Sequence, residues 1–132
     1  MFGKKSQPAI KSLIGPGSRI DGDLSFEDGL RIDGVVAGHI RANPDRPSLL
    51  VISESATVQG QIEADHVVIN GHVIGPVHSR SLLELQPKAR IEGDVSYKAL
   101  EMHQGATIAG QLKPMVGAAE DKPTLKLAAN NS

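Results

Sequence analysis

The chain has 132 residues, 39% apolar and 22% charged, with a formal net charge of -1, no cysteine and only three aromatic rings, at Phe2, Phe26 and Tyr97. One domain fits that length, and the missing cysteines exclude disulfides and thiolate metal sites and suit a reducing compartment. The small net charge and few rings leave neither a global field nor a stacking platform for nucleic acid, and no apolar run approaches the roughly 18 residues that span a bilayer.

The N-terminus, "MFGKKSQPAIKS", is polar and basic and lacks the apolar middle of a signal peptide. Residues 1–12 are therefore expected to form a mobile tail. "RIDGDL" follows at Arg19 to Leu24, and its wording returns as "RIDGVV" at Arg31 to Val36 and "RIEGDV" at Arg90 to Val95. The underlying pattern is apolar, any, Gly, any, apolar. Six copies are centred on Gly22, Gly38, Gly60, Gly75, Gly93 and Gly110, at steps of 16, 22, 15, 18 and 17.

Upstream of most copies lies a second short alternation: "LRI" at Leu30, "LVI" at Leu50, "VVI" at Val67, "LEL" at Leu83 and "LEM" at Leu100. Each unit thus reads strand, turn, strand, turn, with alternate side chains directed inward. Glycine at a fixed place allows a sharp corner where a positive φ or a close backbone approach would penalise a β-carbon. Such a unit cannot bury its apolar face alone, but stacked copies bury a continuous aliphatic core, which agrees with the scarcity of rings.

The expected fold is an all-β parallel β-helix, with six coils at about 4.8 Å each making a rod about 29 Å long. Antiparallel hairpins are the rival reading of the Asp-Gly pairs, but turn signals recur too closely for the strand rhythm of a sandwich or barrel. A six-residue period, the mark of left-handed acyltransferase and carbonic anhydrase helices, shows briefly in Ile14, Ile20, Phe26 and Ile32 and then breaks. Steps of 15, 16 and 17 favour the looser right-handed kind. "NPDRPS" at Asn43 to Ser48 lengthens the second step and should bulge as a surface loop. Beyond Met115 the repeat stops, so residues 115–132 are expected to form a second mobile tail.

The residues contain little chemistry. His66, His72 and His78 are evenly spaced, but a step of six moves to the next face of a three-sided coil, so the rings should diverge instead of converging on a metal. Asp21, Asp23, Glu92 and Asp94 flank corner glycines, where acids ordinarily hydrogen-bond the turn. "GPGS" at Gly15 lacks the lysine and helix of a phosphate loop, and no serine elbow occurs. No catalytic, cofactor or metal residue is assigned.

The runs "IGPGSRIDGDLSFEDGLRIDGVVAGHIRA", "LVISESATVQGQIEADHVVINGHVIGPVHS" and "LELQPKARIEGDVSYKALEMHQGATIAGQL" resemble the bactofilins, bacterial cytoskeletal proteins, over about Ser12 to Leu112. The resemblance implies a right-handed, three-sided β-helix of about six windings, here residues 13–114, between disordered tails. It also implies end-to-end polymerisation without nucleotide, attachment to the inner face of the cytoplasmic membrane, and a scaffold role for cell-wall enzymes, shape determinants or segregation proteins. The insertion at Asn43 to Ser48 departs from the family pattern. "MFGKK" is similar to the membrane-targeting segments of some bactofilins, with Met1, Phe2, Lys4 and Lys5 as the anchoring residues. The competing functions are a β-helical acyltransferase or carbonic-anhydrase-like enzyme and a monomeric binding module.

Open β edges with apolar stacking surfaces are adhesive unless covered. The polymerisation contacts are accordingly expected at Leu13, Ile14, Ile20 and Leu24 on one end and at Leu100, Met102, Ile108 and Leu112 on the other. The expected partners are a second copy of the chain, the membrane and scaffold clients.

Overall fold

The computed structural model describes residues 8–115. The strands fall into six coils of three sides each. Coil 1 holds β1 (Ile10–Ile14), β2 (Arg19–Asp21) and β3 (Leu24–Phe26), and coil 2 holds β4 (Asp28–Ile32), β5 (Val35–Ala37) and β6 (Ile40–Ala42). Coil 3 contains β7 (Ser48–Ile52), β8 (Thr57–Gln59) and the first half of β9 (Ile62–Ile69). The second half of β9 opens coil 4, which continues through β10 (His72–Ile74) into β11 (Val77–Leu85). β11 in turn opens coil 5, completed by β12 (Arg90–Glu92) and β13 (Val95–Tyr97); coil 6 is β14 (Ala99–Met102), β15 (Thr107–Ala109) and β16 (Leu112–Pro114). Every pairing among these strands is parallel and joins one coil to the next.

Alternation within each strand turns the repeat into columns of like side chains. On the second side the middle residue of each strand points inward, stacking Ile20, Val36, Val58, Val73, Ile91 and Ile108. The first side stacks Ile14, Ile32, Ile52, Ile69, Leu85 and Met102, and the third stacks Leu24, Ile40, Ile62, Val77, Val95 and Leu112. Central members of these columns, such as Ile52, Ile62 and Val73, are 0% exposed. Each such side chain contributes about 2 kcal/mol by leaving water, which is how a core built from Val, Ile and Leu sustains the fold.

The first-side strands coincide with the second alternation read from the sequence, and the six glycines stand between the second and third sides. The third strand of each coil was not legible as a separate element. Its second inward column, Phe26, Ala42, Ala64, Ser79 and Tyr97, mixes rings with small and polar residues and so lacks an apolar signature. The Asn43–Pro47 insertion sits at the corner between third and first sides, where the chain can leave the ladder without breaking a column. β1 starts at Ile10, so Ile10 to Ser12 belong to the solenoid and not to a tail beginning before Leu13. Met1, Phe2, Lys4, Lys5 and residues 116–132 lie outside the described residues.

The glycine column shows why the coils stack so closely. A β-carbon on Gly38 would collide with the carbonyl of Gly22, one on Gly60 with Gly38, and so on through Gly75, Gly93 and Gly110. Gly22 belongs to the first coil and has open space at the same position, although its φ is 132°. Gly38, by contrast, is outside the positive-φ group. Gly22→Ala should therefore lower stability by about 1 kcal/mol through backbone strain alone. Gly38→Ala should lower it by about 2 kcal/mol or more through overlap with the coil beneath. Equal melting temperatures for the two variants would show that overlap with the coil beneath costs no more at Gly38 than backbone strain does at Gly22.

Candidate assembly surfaces

Among the described residues both ends of the solenoid are open ladders. β1, β2 and β3 each pair only with coil 2, and β14, β15 and β16 each pair only with coil 5. The backbone groups on their outer edges have no strand beside them among the described residues. At the first end Ile14, Ile20, Leu24 and Phe26 are half-buried against the core; at the last, Met102, Ala106 and Ile108 are half-buried, while Leu112 is 46% exposed. The same columns are fully buried two coils inward, so each end exposes the cross-section of a core cut through its stack.

The structure places Ile14, Ile20 and Leu24 in the first coil and Leu100, Met102, Ile108 and Leu112 in the last, with Leu100 buried in the core. Leu13 is a correction. Its neighbours Ser12 and Ile14 point inward, so Leu13 faces outward in register with Arg31 and Val51 and is 58% exposed. It contributes to the flank of the rod and not to the end. Phe26, missed by the sequence reading, supplies the ring of the N-terminal end; its signal was its place two residues after Leu24 in an otherwise ring-poor chain.

The acids beside the corner glycines have structural roles. Asp23 accepts the His39 N–H at 2.9 Å, and Asp94 accepts that of Gln111 at 2.9 Å; His39 Nδ1 accepts the N–H of Gln61 at 2.9 Å. Each side chain satisfies the backbone of the next coil where the turn leaves the ladder. The Gln111 N–H, and after it Lys113, holds the Asp94 carboxyl below its ordinary range. Asp21 pairs with Arg19, and Glu92 with His72 at 2.7 Å. His66, His72 and His78 lie on the first, second and third sides respectively, so the even spacing does separate them.

A denser network closes the corner from which the insertion emerges. Asp65 Oδ2 accepts from the Ser48 N–H at 3.0 Å, Asp65 Oδ1 from Arg80 Nε at 2.9 Å, and Arg80 reaches Glu63 at 3.1 Å. Asn43 and Arg46 bind the loop back to Glu27, with Arg46 also 3.5 Å from Asp28. Nothing in the local sequence marks Asp65 or Arg80, because their partners lie one or more coils away.

No helix among the described residues is long and apolar enough to cross a membrane. The profile of the bactofilins, described as polymer-forming cytoskeletal proteins, matches residues 12–113. The chain belongs to the bactofilin family. Bactofilin BacO of Myxococcus xanthus (strain DK1622) is 28% identical over 111 residues, a span covering 84% of this chain and 85% of BacO. Among solved structures, the cryo-EM reconstruction of Thermus thermophilus bactofilin double helical filaments aligns with a TM-score of 0.69 at 26% identity, covering 80% of this chain and 100% of the Thermus chain. As a bactofilin, the chain is a filament-forming structural protein and not an enzyme.

In this bactofilin solenoid Asp65 is the charge that several donors share. Asp65→Ala should destabilise the fold by about 2 kcal/mol, because it leaves Arg80 Nε and the Ser48 N–H without their acceptor at a half-buried corner, with Glu63 as the remaining partner of Arg80. Chemical denaturation measures it; a variant as stable as wild type would mean that the corner is held by packing alone.

Proposed function

We propose that this chain polymerises end to end, through coils 1 and 6, into nucleotide-independent filaments on the inner face of the cytoplasmic membrane, where they organise cell-shape or cell-wall machinery. The observation that carries the reading is the pair of open ends, each with three one-sided edge strands around an apolar cross-section. Docking a second copy satisfies the edge hydrogen bonds and buries the half-exposed ends of the core columns in one step. No phosphate-binding loop is needed for that. The Thermus relative, whose filaments are double helical, supports the same reading.

Membrane attachment rests on Met1, Phe2, Lys4 and Lys5. Inserting Phe2 is worth about 2 kcal/mol, Met1 somewhat less, and each lysine about 1 kcal/mol near an anionic leaflet. The sum, about 5 kcal/mol, gives one protomer an affinity of only roughly 0.1 to 1 mM. Many such anchors on one filament act at high effective concentration and hold it firmly. Scaffold clients then meet an extended array of identical outward faces.

Electron microscopy of the purified chain without nucleotide should show filaments. Ile108→Arg places a charge on the C-terminal end and should give folded, short species; unchanged filaments would overturn the end-to-end contact. Co-sedimentation with anionic liposomes should pellet the wild type, less so in high salt. Phe2→Ser, the double change Lys4→Ser and Lys5→Ser, and the assembly-defective Ile108→Arg should all stay in the supernatant. Wild-type binding by Phe2→Ser would remove the N-terminal segment as the anchor.

A further inference from the structure

Carboxylates and imidazoles converge on the first side of the last coils. Glu84 and Glu101 occupy the outward position of β11 and β14 and are in register on adjacent coils, so two like charges are stacked at the ladder spacing of about 4.8 Å. Like charges placed directly opposite destabilise a ladder unless a cation lies between them. His103, immediately after β14, directs Nε2 to within 3.4 Å of Glu101 Oε2 and 3.8 Å of Glu84 Oε2. His66, one coil below Glu84, places its Nε2 3.8 Å from the other Glu84 oxygen, Oε1. Gln86 Nε2 donates to Glu84 Oε2 at 3.3 Å.

Ligand atoms of Glu84, Glu101 and His103 all lie within 4.8 Å of one another. A tetrahedral zinc site, with bonds of about 2.0 to 2.2 Å, sets its donor atoms about 3.4 Å apart, so small side-chain rotations suffice to close these three on one ion. The backbone beneath them is fixed. Both glutamates sit on the parallel ladder, and the His103 N–H donates to the Leu85 carbonyl at 2.9 Å while its own carbonyl accepts from Ala106 at 3.2 Å. An imidazole added to two carboxylates makes a mixed nitrogen and oxygen donor set, which suits first-row divalent ions better than calcium or magnesium.

We propose that Glu84, Glu101 and His103 form a binding site for a divalent transition-metal ion. The ion neutralises the stacked carboxylates and ties coil 6 to coil 5. Because Leu100 and Met102, on the other face of the same strand, belong to the C-terminal end, the ion also firms the surface used in assembly. That last effect rests on the end-to-end reading; the site does not.

The test uses the full chain, stripped with a chelator and titrated calorimetrically with zinc alone, with magnesium and calcium as separate arms. Saturable binding of one zinc per chain is expected, with a raised melting temperature and no response to magnesium or calcium. His103→Gln should weaken zinc affinity by about tenfold or more, since even residues that merely orient a ligand cost that much. Glu101→Gln should remain folded by circular dichroism and lose the zinc-induced rise in melting temperature. His72→Gln, which alters the comparable His72–Glu92 pair on the second side, should bind zinc like the wild type. Absence of saturable binding overturns the site, as does wild-type affinity in both His103→Gln and Glu101→Gln, or an equal loss in His72→Gln. Filament length with and without zinc is read separately, so a zinc-insensitive polymer would count against the effect on assembly and leave the site standing.

Discussion

The structure depends on the clearance between one coil and the next. Where the second side turns into the third, the carbonyl of each corner glycine occupies the volume that a β-carbon on the following corner would need. With no β-carbon competing for that volume, the strands can lie in register along all three sides, and the ladder groups of the interior coils find their partners one coil away. In-register stacking then forces like onto like: an inward isoleucine meets an inward aliphatic residue above and below, and the core becomes continuous although no single coil has one. The largest change in chain length per coil falls at a corner, where the Asn43–Pro47 insertion leaves the ladder.

On the end-to-end reading proposed above, assembly is the same physics carried past coils 1 and 6. Interior coils are satisfied on both faces, while coils 1 and 6 are satisfied on one. The terminal members of the columns are half-buried where their central counterparts are fully buried, so a further coil, from whichever chain, meets a surface already shaped for it. Among the described residues no element covers the outer face of coil 1 or coil 6. This accounts for a protein whose function is to form filaments and whose described residues devote their polar groups to turns and ladders.

Outward positions follow a looser rule, because solvent tolerates what the core does not. They hold ion pairs along single strands, such as Arg19 with Asp21, and contacts between coils, such as Asp94 with Lys113. Asp23, His39 and Asp94 use them to accept corner N–H groups, so the acids that follow the glycines serve the turns while Asp21 and Glu92, which precede them, form ion pairs. Stacking also makes outward neighbours of residues that are far apart in sequence. At most positions the neighbours are compatible; at Glu84 and Glu101 two like charges meet, with imidazoles drawn up beside them.

Much of this was determined by the sequence alone. Alternation is a property of a few consecutive residues, so the aliphatic columns, the glycine corners, the number of coils and the apolar residues at Ile14, Ile20, Leu24, Leu100, Met102, Ile108 and Leu112 could be read directly. The divergence of His66, His72 and His78 followed from the coil length in the same way. Only the tertiary structure decided the third strand of each coil, whose inward column of Phe26, Ala42, Ala64, Ser79 and Tyr97 has no apolar pattern. It also turned Leu13 outward, joined Asp65 to Ser48 and Arg80, and set His103 beside Glu84 and Glu101. The reason is register. Which side chain stands above which depends on the sum of every turn between them, and with repeat steps from 15 to 22 residues that sum is settled only when the coils pack.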